Sequence, residues 1–165
     1  MIVDCVLDTN ILLYAVSRNP AHRSKKTKAI DLIESERFGV SAQILQEFYV
    51  NATRKADFAM SGEAALEWVE NLEVVPCSPV DIALVKNAII MCEQYRISYW
   101  DGAVVAATEA LGAPTLYTED LSHGQSYGSV TVINPFIDLS TAHGGVHEPD
   151  PPVFKRNQPP HRASR

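Results

Sequence analysis

Between residues 2 and 133, short apolar, β-branched runs take turns with longer stretches of helical periodicity, and few architectures accommodate that order. Residues 2–7 read as a buried strand that stops at Asp8-Thr9-Asn10, followed by a short amphipathic stretch over 11–16. Asn19-Pro20 breaks the pattern, and a helix over 21–36 turns Ala29, Ile30 and Ile33 inward. A strand over 38–40 leads to Ser41, whose cap chemistry opens a helix through Lys55 with Ile44, Leu45, Phe48 and Ala52 at helical spacing. Ser61 caps the next helix, carrying Leu66, Trp68, Val69 and Leu72, and a strand is expected over 73–77. Pro79 opens a helix reaching Tyr95, and residues 98–111 form another, nearly apolar all round and ended by Gly112. Strands over 115–118 and 130–133 close the series, and the alternation is that of an α/β domain with a mostly parallel sheet.

The chain is 46% hydrophobic and 21% charged, enough apolar surface for one buried core. No apolar run approaches the roughly 18 residues that cross a bilayer, and the acid at position 4 does not suit a secretory leader. Cys5, Cys77 and Cys92 lie far apart with no CxxC pair, which argues against a disulfide framework or a zinc knuckle and suits a reducing compartment. The expectation is a cytoplasmic domain without membrane contact, spanning 1–139. Residues 140–165 differ in character: Pro149, Pro151, Pro152, Pro159 and Pro160 and few large apolar side chains suggest a flexible tail. That tail is basic within a chain of net charge −6, so the body is more acidic than the whole and repels a nucleic-acid backbone unless a cation or a local basic patch intervenes.

Four acids stand out. Asp8 and Asp120 fall just past strands, where open parallel sheets bind ligands; Glu47 and Asp101 interrupt otherwise apolar helices. A carboxylate on a buried surface is costly unless paired or metal-bound, and Mg²⁺ or Mn²⁺ favours an all-oxygen donor set. Each acid also has a plainer reading. Asp8-Thr9-Asn10 suits a helix cap, Ser98-x-x-Asp101 a capping box, Thr118-Glu119-Asp120 a turn, and Glu47 the rim of its helix. Only the joint placement favours chemistry.

The runs Val6-Leu7-Asp8-Thr9-Asn10-Ile11-Leu12-Leu13-Tyr14-Ala15, Ser41-Ala42-Gln43-Ile44-Leu45-Gln46-Glu47-Phe48-Tyr49, Ile97-Ser98-Tyr99-Trp100-Asp101-Gly102 and Tyr117-Thr118-Glu119-Asp120-Leu121-Ser122-His123-Gly124-Gln125 resemble, in order, those of the PIN-domain nucleases, and most of all the VapC-type toxins of type II toxin–antitoxin systems. The resemblance extends from about residue 2 to Phe136. It implies a PIN-like α/β fold with a central, mostly parallel sheet of five strands flanked by helices on both sides. It implies that Asp8, Glu47, Asp101 and Asp120 gather to hold Mg²⁺ or Mn²⁺, with Asn10 supporting Asp8 and Thr118 partnering a carboxylate or metal water. The implied activity is endoribonucleolytic hydrolysis of RNA, and the implied partners are a cognate antitoxin and a second copy of the chain.

Arg23, Lys25, Lys26 and Lys28 form the densest basic cluster, suited to an RNA backbone or simply to the solvated face of a helix. His123 and Gln125 follow Asp120 closely enough to border the site, but a lone His carries no general-base assignment. Trp68 and Trp100 read as packing residues. Two other readings stay open: a Mg²⁺-binding phosphate-handling domain such as a receiver or aspartyl-phosphate phosphatase, and a non-catalytic interaction module of the same fold. The first lacks the Asp-x-Asp of the phosphatases and a Lys after the 115–118 strand; a P-loop is absent altogether.

Overall fold

The computed structural model describes residues 3–137; the proposed tail at 140–165 lies outside the described residues. Six strands form one sheet: β1 (Cys5–Leu7), β2 (Phe38–Ser41), β3 (Cys77–Ser78), β4 (Thr115–Tyr117), β5 (Ser126–Tyr127) and β6 (Val130–Ile133), in the spatial order β3-β2-β1-β4-β6-β5. Five are parallel, as the sequence implies. The sixth, β5, is an addition: two residues that pair antiparallel with β6 at the sheet edge, too short and too polar to carry a strand signature.

Both neighbours of an interior residue of β1 are buried along with it, and β2 is buried throughout. Because successive strand side chains point to opposite faces, this burial means that the centre of the sheet is covered on both. The covering helices are α1 (Thr9–Ala15), α2 (Arg23–Ser35), α3 (Ala42–Arg54), α4 (Gly62–Asn71), α5 (Ile82–Tyr95) and α6 (Tyr99–Ala110). One core joins Val6, Leu7, Ile11, Leu12, Ile33, Ile44, Phe48 and Leu116. In α6, Val104 and Val105 enter that core, whereas Ala103, Ala106 and Ala107 meet Leu84 and Ala88 of α5. Gly102 belongs to this contact: a Cβ there would stand 2.7 Å from the Ala88 carbonyl oxygen.

The helix starts follow the sequence closely. Ser41, Ser61 and Ser98 accept from Ile44 N, Ala64 N and Asp101 N. Three expectations are corrected. The helix expected from Pro79 starts later, because Asp81 accepts from Leu84 N at 2.8 Å and sets the N-terminus at Ile82. Residues 72–74 form a turn of 3₁₀ helix, and the strand expected over 73–77 shrinks to Cys77–Ser78. Proline offers no N–H to a ladder, so Pro76 joins β2 only through its carbonyl, which accepts from Val40 N at 2.9 Å. Leu72, read as part of the same helix as Leu66, Trp68 and Val69, lies in that 3₁₀ turn, and Leu66 is exposed.

Among the described residues, no helix is long and apolar enough to cross a membrane. The three cysteines are free thiols, and burial pushes Cys5 up to about 12, which keeps it protonated.

Candidate active site

The strand order turns at β1 and β4: β2 and β3 continue on one side of β1, β6 and β5 beyond β4 on the other. Such a reversal opens a crevice at the carboxyl ends of the two strands. Asp8 follows β1 and Thr118 follows β4, and Asp8 N donates to Tyr117 O at 3.1 Å across the junction.

Asp8 is the buried centre of the site, 8% exposed. Its Oδ1 accepts from Thr9 N at 2.7 Å, capping α1, and its Oδ2 accepts from the Thr118 hydroxyl at 2.7 Å. The capping reading of Asp8 and the functional one therefore coexist in one carboxylate. Burial pushes its pKa up to about 6 from 3.8; the bonds from Thr118 and Thr9 pull the other way, while the negative charges of Asp120 and Glu47 add to the rise.

Asn10 links the acids. Its Nδ2 reaches Asp120 Oδ2 at 3.0 Å, Thr118 Oγ1 at 3.2 Å and Asp8 Oδ2 at 3.3 Å. Its Oδ1 is buried without a hydrogen-bond partner. Thr118 Oγ1 also accepts from Asp120 N at 3.1 Å, which turns the chain so that the exposed Asp120 lies beside Asn10.

Glu47 comes from α3. Gln43, one turn earlier, donates to Glu47 Oε1 at 2.8 Å, and Thr9 Oγ1 lies 3.4 Å from Oε2. Gln43 Nε2 also approaches the Trp100 carbonyl at 3.4 Å, tying α3 to the N-terminus of α6, where Asp101 sits. Ser98 caps α6 by accepting from Asp101 N at 3.1 Å, and its hydroxyl donates to Asp101 Oδ2 at 2.7 Å. The structure thus brings Asp8, Glu47 and Asp120 within electrostatic reach of one another. Asp101 is the residue after Trp100, whose carbonyl Gln43 approaches, and its described hydrogen bonds are to Ser98 rather than to the other three acids.

Gln43 and Thr9 were not among the sequence candidates. The available signal was Gln43 four residues before Glu47 on a face that otherwise buries Ile44 and Phe48.

Among the described residues, no three His, Cys, Asp or Glu side chains are close enough together to ligate one ion directly. The donor set nonetheless fits a hydrated hard cation. All its members are oxygens, none of the four acids has an ion-pair partner among the described residues, and Asn10, whose Nδ2 contacts two of the acids, keeps a buried Oδ1 without a partner. Mg²⁺ is held by one or two carboxylates directly and keeps several waters, which matches acids gathered loosely rather than in a closed cage.

The basic residues of α2 behave differently from one another. Arg23 is exposed and Lys28 half-buried. Lys25 is engaged inside the protein, its Nζ 2.5 Å from Glu119 Oε2 and 2.8 Å from the Tyr14 hydroxyl. His123 accepts from Asn134 N through Nδ1 at 3.1 Å and so braces the loop beside β6. Trp68 packs on Phe48 in the core, but Trp100 is 63% exposed and is no core residue.

The family profile described as PIN domain matches residues 5–125. No curated protein matches the chain by sequence. Solved structures similar in fold include Mycobacterium tuberculosis VapC20, described as a sarcin–ricin loop cleaving toxin, at 19% identity over 71% of this chain and 90% of that one, with a TM-score of 0.59. VapBC2 from Rickettsia felis, bound to a promoter DNA fragment, aligns at 16% identity over 78% and 96%, with a TM-score of 0.54. FitAcB from Neisseria gonorrhoeae aligns at 20% identity over 81% and 99%, with a TM-score of 0.52.

Proposed function

The chain belongs to the PIN-domain family, and from that premise we propose that it is a Mg²⁺- or Mn²⁺-dependent endoribonuclease, the toxin of a cytoplasmic toxin–antitoxin pair. The observation that carries this reading is Asp8: a buried carboxylate, raised by burial and by Asp120 and Glu47, with no lysine or arginine to neutralise it among the described residues. A site built this way favours a cation. Family membership also removes the ground for the receiver or phosphatase alternative.

When bound, a divalent ion supplies Lewis-acid polarisation of the phosphoryl group and lowers the pKa of the attacking water. The protein's own residues hold and orient. Asp8 and Asp101 are the direct ligands in this reading, and Glu47 and Asp120 complete the site directly or through water. Thr118 and Thr9 N fix the two oxygens of Asp8, Asn10 aligns Asp120 with it, and Gln43 sets the rotamer of Glu47. An acidic pocket repels phosphate without a cation, so RNA binding and cleavage both require metal. Arg23, Lys26 and Lys28 of α2 are the candidates for contact with the RNA backbone.

The partners follow from the same reading. VapBC and FitAB complexes stand among the structural relatives, and an acidic pocket accepts an arginine whose planar fork pairs with carboxylates. An antitoxin segment presenting such an arginine is the proposed inhibitor, and a homodimer the proposed assembly.

The test is incubation of the purified chain with total RNA in Mg²⁺, Mn²⁺ or chelator, with mapping of the cut ends. Cleavage leaving a 5′ phosphate and a 3′ hydroxyl is expected only with metal, and Asp8→Asn and Asp101→Asn should abolish it with the fold intact. Cleavage in chelator, or variants cutting at the wild-type rate, would sink the assignment. Absence of Mn²⁺ binding in calorimetry would favour a non-catalytic module.

A further inference from the structure

Glu119 stands between two residues of the site, Thr118 and Asp120, yet its carboxylate is taken up by a half-buried cluster of Lys25 and Tyr14. Its Oε2 receives Lys25 Nζ at 2.5 Å and its Oε1 the Tyr14 hydroxyl at 2.5 Å, while Lys25 also donates to that hydroxyl at 2.8 Å. The ammonium lies 4.4 Å from the centre of the Tyr14 ring and 5.2 Å from that of Phe136, and the two rings meet edge to face at 5.1 Å. His22 packs against the other side of Tyr14 at 5.0 Å. Tyr14 is one helical turn beyond Asn10 on α1, so the same short helix grips the 118–120 segment twice: from within the site through Asn10 and from outside through Tyr14.

We infer that Lys25 is a positioning residue of the acidic site and not an RNA contact: through Glu119 it pins the 118–120 segment to α1 and α2 and so fixes the exposed Asp120 carboxylate against Asp8. This rests on the ribonuclease reading for its consequence, but not for its geometry. Asp120 needs such a hold. Among the described residues its side chain accepts from Asn10 alone and its N–H donates to Thr118 Oγ1, and it lies past the last ladder residue of β4. A cation held partly through Asp120 is bound tightly only if that carboxylate stays in register with Asp8. Lys25 is placed to do this, since its charge is met by a carboxylate of the segment itself and flanked by two rings.

The experiment uses the full chain as wild type, Lys25→Met, Glu119→Gln and the double variant. Mn²⁺ affinity is read by electron paramagnetic resonance without RNA, and hydrogen exchange is followed at the Asp120 amide. Each single variant should weaken Mn²⁺ about tenfold and speed exchange at Asp120, with an unchanged urea midpoint of the core. The double variant should be no worse than either single, because both remove one interaction. Wild-type Mn²⁺ affinity and exchange in both single variants would overturn the inference. So would the pattern of an RNA contact, in which Lys25→Met alone loses RNA affinity and flattens its salt dependence while Glu119→Gln binds RNA more tightly. Exchange at Asp120 needs neither metal nor RNA, so it decides this inference even where a wild type that cuts no RNA counts against the ribonuclease reading.

Discussion

The Thr118 hydroxyl donates to Asp8 Oδ2 at 2.7 Å, joining the carboxyl ends of β4 and β1 across 110 positions of sequence. The same oxygen accepts from Asp120 N and Asn10 Nδ2. Thr118→Val keeps the shape and removes all three bonds, leaving Asp120 N without its acceptor while Asn10 Nδ2 keeps Asp8 and Asp120, which should cost about 1–3 kcal/mol in urea denaturation. The bond lowers the Asp8 pKa, so its loss should move the acid limb of the cleavage profile to higher pH.

Asp8 itself makes the fold less stable at neutral pH. Its pKa rises from 3.8 to about 6 on folding, so the protonated form favours the fold. Its contribution is fully present below the unfolded pKa and is lost as pH rises through the folded one. A shift of this size corresponds to about 3 kcal/mol at most. Asp8→Asn should therefore unfold at higher urea than wild type at pH 8 and lose that advantage near pH 4. A variant less stable than wild type at pH 8 would contradict the electrostatic account.

Metal should offset that difference. A cation bound only by the folded state stabilises it by about 2.7 kcal/mol at a concentration 100-fold above its Kd. Mn²⁺ should raise the Tm of the wild type and leave that of Asp8→Asn unmoved, and chelator should return the wild type to its starting value.

Gln43 separates orientation from stability. Gln43→Met removes the donor to Glu47 Oε1 and the approach to the Trp100 carbonyl while filling similar volume. Cleavage should fall about 10–100-fold, against a stability loss within about 1.5 kcal/mol. Paired measurement of rate and urea midpoint checks the split.

Much of this architecture is legible in the sequence because it is local. Ser41, Ser61 and Ser98 cap helices within three residues of themselves, and Asp8 ends a strand whose β-branched run announces it. Ser98 and Asp101 show why the motif carries two meanings: Ser98 does cap the helix, and its hydroxyl engages the very carboxylate the site reading uses. What is hidden depends on residues far apart in the chain. Lys25 meets Glu119 across 94 positions, and nothing in either neighbourhood distinguishes that pair from a solvated charge. The 72–78 stretch looks like a strand by composition, but Pro76 and an edge position leave it two residues of pairing. Trp100 reads as core or interface packing by residue type, and its place on the first turn of α6 leaves it exposed and outside the core.

The missing side chain at Gly102 lets the backbones of α5 and α6 touch, since any Cβ there would collide with the Ala88 carbonyl. The position of α5 is thereby coupled to that of α6, whose first turn carries Asp101. A fluorophore on the outer side of α5, at Lys86 for instance, would report the attitude of that acid from a distance, without intruding on the chemistry. By the same logic, Gly102→Ala should destabilise by about 1–3 kcal/mol through overpacking and lower cleavage as well, with both the reporter signal and the rate recording the same displacement.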